Sequence, residues 1–401
     1  MADAWGLGRA PHRGPSVAGR GDRGRRRLEP VFRTRAPAAW KHVDLVLVLC
    51  VAAVSVLGAL MVLSSTRGTN PDAYDTSFLR KQVLFIAVGV VGMVLVTLVD
   101  YRHLRDVAWV PYVVTTLLLA LVVSPLGSER RGTQAWFQLG GFQLQPAELA
   151  KVSAVLAVAT VLARSEVPLR ARRLAVALVV LGLPVALIML QPDLGTALVF
   201  LAIATGTLLV GGARARHLVL LTAVGVIGMV GVVNSDVLED YQRDRLTNFL
   251  ADDDADVQAS AYNSDQSKAA IASGSINGKG LFEGTQTRLG FVPEQHTDFI
   301  FTAVGEELGF VGSATVLGLL ALICVRTWRT AQIAGDRLGM LICIGVLSML
   351  VFEIFQNVGM TMGIMPITGI PLPFMSYGGS SIIASWLAIG LVLNVHMRRF
   401  G

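Results

Sequence analysis

An all-α polytopic membrane protein of about ten transmembrane helices, with both termini cytoplasmic and one long extracytoplasmic loop, is the fold class this sequence predicts. Three observations carry it. Hydrophobic residues fill 53% of the 401 positions and charged ones only 15%, with a mean hydropathy of +0.60; a soluble chain carries about 25% charged residues. The apolar residues gather into runs close to the roughly 20 residues that cross about 30 Å of hydrocarbon as a helix. Those runs are continuous rather than alternating, which excludes a closed β-barrel. An ordinary soluble enzyme, a disordered chain and a disulfide scaffold are excluded with it.

Residues 1–43 form a polar tail with ten Lys and Arg, among them Arg25, Arg26 and Arg27. It reads as a disordered cytoplasmic segment able to touch anionic head groups of membrane lipids. The first apolar run starts too far in for a signal peptide and has no small-residue cleavage site. No nucleic-acid-binding motif, aromatic or fold-level, accompanies the arginines, so no nucleic-acid partner is expected. From residue 44 to the C-terminus the chain reads as one transmembrane domain. Its spans are placed near 44–65, 82–99, 107–125, 146–163, 173–190, 194–210, 217–233, 299–325, 338–360 and 378–396. The 41 glycines suit closely packed membrane helices. Cys50, Cys324 and Cys343 all fall in apolar stretches and read as packing thiols.

Basic residues set the orientation. With the N-terminus inside, the inner segments hold 23 Lys and Arg and the outer ones 10, five of those in a single long loop. That loop, about 234–298, carries twelve acidic and five basic residues. Its length points to function or partner contact. The cluster Asp252, Asp253, Asp254 and Asp256 lacks the glycine and glutamate an EF-hand requires, because Val257 and Asn263 stand at those places. It reads as a solvated acidic turn.

On this topology the polar residues of the spans collect at their outer ends. Glu148 and Lys151 open the fourth span, Asp193 lies between the fifth and sixth, and Glu306 and Glu307 lie two turns into the eighth. Glu353, Gln356 and Asn357 lie toward the outer end of the ninth, and Ser376 to Ser381 lead into the tenth. Ionisable groups at membrane depth are costly and point by default to function. Each also has a structural explanation. Glu148 follows Pro146 as in an ordinary helix start, and Lys151 is one i,i+3 step away. Asp193 could cap a helix. Glu306 and Glu307 point about 100° apart, so at least one is expected to pair within the bundle, Gln356 being a candidate partner. His296 could shuttle protons or simply pack a loop.

Asp298 stands where the long loop joins the eighth span. If the helix begins there, Asp298, Thr302, Gly305 and Gly309 share one face, a carboxylate above a strip of small residues that a lipid tail or a neighbouring helix could fill. The alternative is an N-cap aspartate. Residues 366–376, rich in proline and without charge, cannot form a regular helix and are expected to re-enter the outer surface against protein. No nucleotide-binding loop, zinc-protease motif or serine-hydrolase elbow occurs.

At these residues the chain resembles the SEDS family (shape, elongation, division and sporulation), and its RodA branch more than its FtsW branch. The likeness covers nearly all of residues 44–399. It is carried by Pro293 to Phe301, Gly305 to Gly309 and Gln356 through Ser381, with Gln145 to Lys151, Gln191 to Thr196 and Gly284 to Gln286 in support. The resemblance implies a peptidoglycan glycosyltransferase that joins lipid II, carried on undecaprenyl diphosphate, into glycan strands for cell elongation and shape. It implies a class B penicillin-binding protein as partner and places the family's essential aspartate on Asp298 and its span-four acid and base on Glu148 and Lys151. Much of the family has a basic residue before the tryptophan of the third outer segment. Here Ala135 precedes Trp136, leaving Arg130 or Arg131 to supply that charge.

The chemistry expected is an inverting transfer with Asp298 as general base. Glu148, Lys151, Glu306, Glu307, Gln356, Asn357, Arg130, Arg131, Ser376 and Ser380 are expected to support it or bind substrate. A divalent cation (Mg2+ or Mn2+) is an open option for offsetting the diphosphate charge. Two rival readings remain: a lipid II transporter, which intramembrane acids and broken segments would suit, and a non-catalytic scaffold for cell-wall enzymes.

Overall fold

The computed structural model describes residues 42–67, 75–130, 133–217, 219–221, 223, 225 and 258–400. The basic tail up to residue 41, most of the expected span 217–233 and the acidic cluster at 252–256 lie outside these residues.

Described helices fall on nine of the ten expected runs. They are α1 (Leu45–Thr66), α2 (Ser77–Leu98), the pair α3 (Tyr101–Val107) and α4 (Trp109–Val122), α5 (Pro146–Ala163), α6 (Ala171–Met189) and α7 (Leu194–Val210). After the loop come α10 (Ile300–Gln332), α11 (Arg337–Thr361) and α12 (Gly379–Met397), preceded by two loop helices, α8 (Gln258–Ser273) and α9 (Thr285–Leu289). Among the described residues, seven helices are long and apolar enough to cross a membrane, and α3 with α4, bent by 53°, passes the same test as a pair. Pro111, in the first turn of α4, has no N–H to continue the ladder from α3, so the helix restarts there. The short α7 is apolar but only 17 residues long.

Aspartates set several helix starts. Asp44, Asp193 and Asp336 accept from Leu47, Thr196 and Gly339 N–H at 3.1, 2.9 and 2.7 Å, closing the first turns of α1, α7 and α11. The interior of the bundle is α5 and α12, of whose apolar windows 89% and 83% are buried, whereas α2, α6 and α10 bury 28%. The last three therefore turn most of their leucines and valines outward, as lipid-facing helices do. Along α2 and α12 the backbones approach closely: a Cβ on Gly390 would stand 3.0 Å from Met93 Cα.

Between α4 and α5 the chain forms a small antiparallel sheet that the all-α expectation did not contain. Strand β2 (Thr133–Leu139) pairs with β1 (Ser128–Arg130) on one side and β3 (Phe142–Leu144) on the other. Leu139 stands opposite Phe142, and the two-residue turn between them is Gly140-Gly141, with Gly140 at φ +63°.

Residues 258–298 of the long loop pack against the bundle. Helix α8 docks on α10 and α11 through buried Ser267, whose Oγ lies 2.6 Å from Thr302 Oγ1 and donates to the Thr361 carbonyl at 2.7 Å. Helix α10 is broken at Gly309 (φ 64°, ψ −161°). The carbonyls of Glu306 and Glu307 accept from Lys279 and Gly280 N–H, both at 3.0 Å, while Phe310 and Val311 N–H donate to Ser275 and Ile276 carbonyls at 3.0 and 3.1 Å. The loop thus satisfies the backbone groups that the break exposes.

Candidate active site

A cavity of about 660 Å³ opens at the loop end of the bundle. Its wall is assembled from the β2–β3 hairpin, the start of α5, the α6–α7 turn, the 293–299 segment and residues 367–381. Glu148, Lys151, Asp298 and Ser380, four of the expected site residues, line it together. Gln356, Asn357, Ser376, Glu306 and Glu307 do not, and each has a different role.

Pro146 takes the first position of α5, which fixes Glu148 and Lys151 on consecutive turns facing inward. Lys151 Nζ donates to Glu148 Oε1 at 2.9 Å, the expected i,i+3 pair, and to Glu353 Oε1 of α11 at 2.5 Å. All three side chains are buried, at 3–5% exposure. Two carboxylates share one ammonium, so the lysine's charge is fully engaged and the triad is held as a unit. Asp193 stands beside it in the α6–α7 turn. Its Oδ2 accepts from Gln145 Nε2 at 3.3 Å and from Thr196 Oγ1 at 2.8 Å. Burial pushes its carboxyl up from the usual aspartate range, against the opposing hydrogen bonds from Thr196.

Asp298 lies just before α10, which begins at Ile300 with Phe299 as its cap. It stands one residue before the cap, so the expected helical face does not begin on the aspartate itself. Its backbone is held from both sides: its N–H donates to the Glu294 carbonyl at 3.1 Å, and its carbonyl accepts from Asn357 Nδ2 at 2.8 Å. The same Nδ2 donates to the Ile370 carbonyl at 2.8 Å. Asn357 thus ties the aspartate's backbone to the proline-rich 366–376 segment. A Cβ on Gly369, at φ +71°, would stand 3.5 Å from Asp298 Oδ2, so this segment passes close over the carboxylate.

The strip of small residues is filled by the chain itself rather than by a lipid tail. A Cβ on Gly305 would meet Ile271 of α8 at 2.9 Å, and one on Gly309 would meet Gly278 N at 2.2 Å. Glu306 and Glu307 serve this contact, and neither pairs with Gln356. Glu306 accepts from Lys279 Nζ at 2.7 Å, from Gln286 and Thr287 N–H at 2.8 Å each and from Thr287 Oγ1 at 2.8 Å. Glu307 accepts from Ser64 of α1 and, at 3.1 Å, from Phe282 N–H. They are buried anchors for residues 279–287, which is where the Gly284-Thr285-Gln286 step belongs. Gln356 donates to the Pro366 carbonyl at 2.9 Å.

Residues 362–378 are non-helical, as the prolines require; Ile370 and Leu372 to Ser376 are buried, whereas Met362 and Ile364 are exposed. Ser376 Oγ accepts from Leu372 N–H at 2.8 Å inside this segment. Ser380 on the cavity wall accepts from Gln145 N–H at 2.8 Å, joining α12 to the start of α5. His296 packs edge-on to Phe78, ring centres 5.0 Å apart, and its carbonyl accepts from Tyr377 N–H at 2.9 Å, the loop-packing role. Arg131 and the side chain of Arg130 lie outside the described residues, so the expected charge beside Trp136 is not placed; Ala135 is buried and Trp136 lines the cavity. Sequence reading missed Lys81. It lies at the start of α2, exposed, on the cavity wall. Its position one residue before the apolar run was the available signal. Among the described residues, no three His, Cys, Asp or Glu side chains are grouped closely enough to hold a metal ion.

Fold and cavity together define a class: a multi-pass helical membrane protein whose polar residues converge on one pocket at the loop end. The chain belongs to the cell cycle protein family of FtsW, RodA and SpoVE, which matches it over residues 44–400. It is 34% identical to the peptidoglycan glycosyltransferase MrdB of Escherichia coli K12 over 89% of this chain and 94% of that protein. It is 34% identical to the stage V sporulation protein E of Bacillus subtilis, over 88% and 96%. Among solved structures it superposes on a chain of a peptidoglycan synthase complex that coordinates polymerisation and crosslinking (TM-score 0.74, 34% identity, 90% and 99% covered). It also superposes on the rod shape determining protein RodA of Thermus thermophilus (TM-score 0.68, 32% identity, 90% and 99% covered).

Proposed function

We propose that the chain is a peptidoglycan glycosyltransferase that polymerises lipid II at the outer face of the cytoplasmic membrane, with a class B penicillin-binding protein as its crosslinking partner. The observation that carries the reading is a single cavity, at the loop end of a membrane bundle, that receives Asp298 and the Glu148–Lys151 pair. Relatives named for this activity support it. The excess of basic residues on the opposite segments supports the loop end as extracytoplasmic.

In the proposed reaction Asp298 takes the proton of the acceptor sugar's 4-hydroxyl. The oxygen attacks the donor's anomeric carbon from the face opposite the diphosphate, and the bond to the diphosphate oxygen breaks with its electron pair, inverting that centre. Positioned proton transfer contributes about 10²–10⁴-fold. Charge on the departing diphosphate needs a cation at the cavity. Lys151 is committed to two carboxylates, so exposed Lys81 is the better placed of the two lysines to meet it. No step is assigned to a metal; Mg2+ or Mn2+ would enter only as the substrate's own counter-ion. The 1–43 tail is proposed to be cytoplasmic and to touch membrane lipids.

The purified chain with its partner should convert lipid II into glycan strands in detergent. Lipid II that crosses a bilayer with no strands formed would instead establish the transporter. Neither result, in an assay where a known polymerase succeeds, would leave the scaffold.

A further inference from the structure

At the opposite end of the bundle a second cavity, of about 440 Å³, opens between the α5–α6 connection and the segment after α7. Arg170, Arg214, Arg216 and His217 line it, against Glu166 alone among acidic residues on its wall. Glu166 pairs with Arg170 at 2.6 Å, both highly exposed, a contact that water largely screens. Among the described residues Arg214 and Arg216 make no ion pair, and His217 Nδ1 is buried without a hydrogen-bond partner. Like charges are thus gathered around a concavity without enough carboxylate to balance them.

The two connections that carry these residues are fixed to each other. Arg337, at the start of α11, donates to the Ser165 carbonyl and, at 2.7 Å, to the Gly211 carbonyl, while Leu169 N–H donates to the Gly212 carbonyl at 3.0 Å. The arginines therefore project from a braced rim rather than from loose tails. The wall lies near the ends of three bundle helices, Ala163, Ala171 and Val210, and Val167 and Pro168 on it are exposed. Cationic, concave and bordered by exposed apolar side chains, the site matches a molecule with an anionic head and an apolar body. Guanidinium forks suit the oxygens of a phosphodiester, and basic pockets between membrane helices are suited to phosphate head groups.

We propose that this cavity binds the phosphate of an anionic phospholipid, held by Arg170, Arg214 and Arg216, with its acyl chains along the exposed apolar rim. The proposal rests on the chain spanning a membrane and not on the polymerase reading, so neither depends on Asp298.

The test uses the full chain in phosphatidylcholine bilayers with trace spin-labelled phosphatidylglycerol, read as the motionally restricted fraction by electron paramagnetic resonance. Wild type should prefer phosphatidylglycerol over spin-labelled phosphatidylcholine. Arg214→Gln with Arg216→Gln should reduce that preference about tenfold or more, since each basic residue near an anionic lipid contributes appreciably. Arg172→Gln with Arg173→Gln, the same loss of charge on residues outside the cavity wall, should keep it. Arg214→Lys with Arg216→Lys preserves charge and should retain most of it, which separates loss of binding from loss of fold. Equal losses in both glutamine pairs would reduce the site to diffuse charge and overturn the proposal. An absent wild-type preference would also overturn it, including one in which inorganic phosphate alone protects the chain from thermal unfolding.

Discussion

Lys151 is the residue on which the site's electrostatics turn. It neutralises one of two buried carboxylates and hydrogen-bonds both. Lys151→Met should therefore destabilise the protein by about 3–5 kcal/mol, because two buried acids lose their only cation. Glu353→Gln leaves a one-to-one pair and should be milder. Thermal melts in detergent rank the two, and a larger loss for Glu353→Gln would contradict the triad. Lys81 makes the complementary case. Lys81→Gln should melt like wild type, since the side chain is exposed, yet polymerise more slowly through poorer diphosphate binding. An unchanged rate and KM would remove it from the site. The i,i+3 spacing made the Glu148–Lys151 contact legible in the sequence; Glu353, 202 positions away, was visible only as an acid without an assigned partner.

At the scale of elements, the break in α10 and the loop that closes it form one unit. Gly309 adopts a left-handed φ, and a Cβ there would strike Gly278 N. Gly309→Ala should separate the 274–287 segment from α10, read as faster amide exchange across that segment. Glu306→Gln should do the same in milder form, because its carboxylate accepts from four donors of the segment, Lys279 Nζ among them. Protection equal to wild type in both would show that the segment is held by other contacts. Sequence placed the helices well, since long apolar runs permit little else in hydrocarbon. It missed the small sheet, whose strands are three to seven residues long and carry no period that separates them from a connection. The Gly140-Gly141 turn between short alternating stretches was the readable signal. It read the Gly305–Gly309 strip correctly as a contact face, but sequence spacing cannot say whether protein or lipid fills such a face. Here the partner, α8, comes from the loop itself.

For the whole molecule, the two cavities lie at opposite ends of α5, one lined by acids and the proline-rich segment, the other by arginines. That asymmetry follows from the basic-residue count and fixes an orientation that labelling can check. A cysteine at Gly140 should react with an impermeant thiol reagent added outside intact cells, and one at Arg170 only after permeabilisation. Cys50 and Cys343 are buried and should add little background, and the half-buried Cys324 is removed by Cys324→Ser in both variants. Reversed accessibility would place the first cavity in the cytoplasm and remove it from lipid-linked strand assembly. The central claim is narrower, that Asp298 is the base of a polymerising site, and one comparison tests it. Lipid II would be given to the purified chain with its partner's transpeptidase serine disabled, wild type against Asp298→Ala, and strand length read on a gel. Strands from wild type and none from the variant, at matched melting temperatures, are the expected result. Equal strands from both would move catalysis away from Asp298.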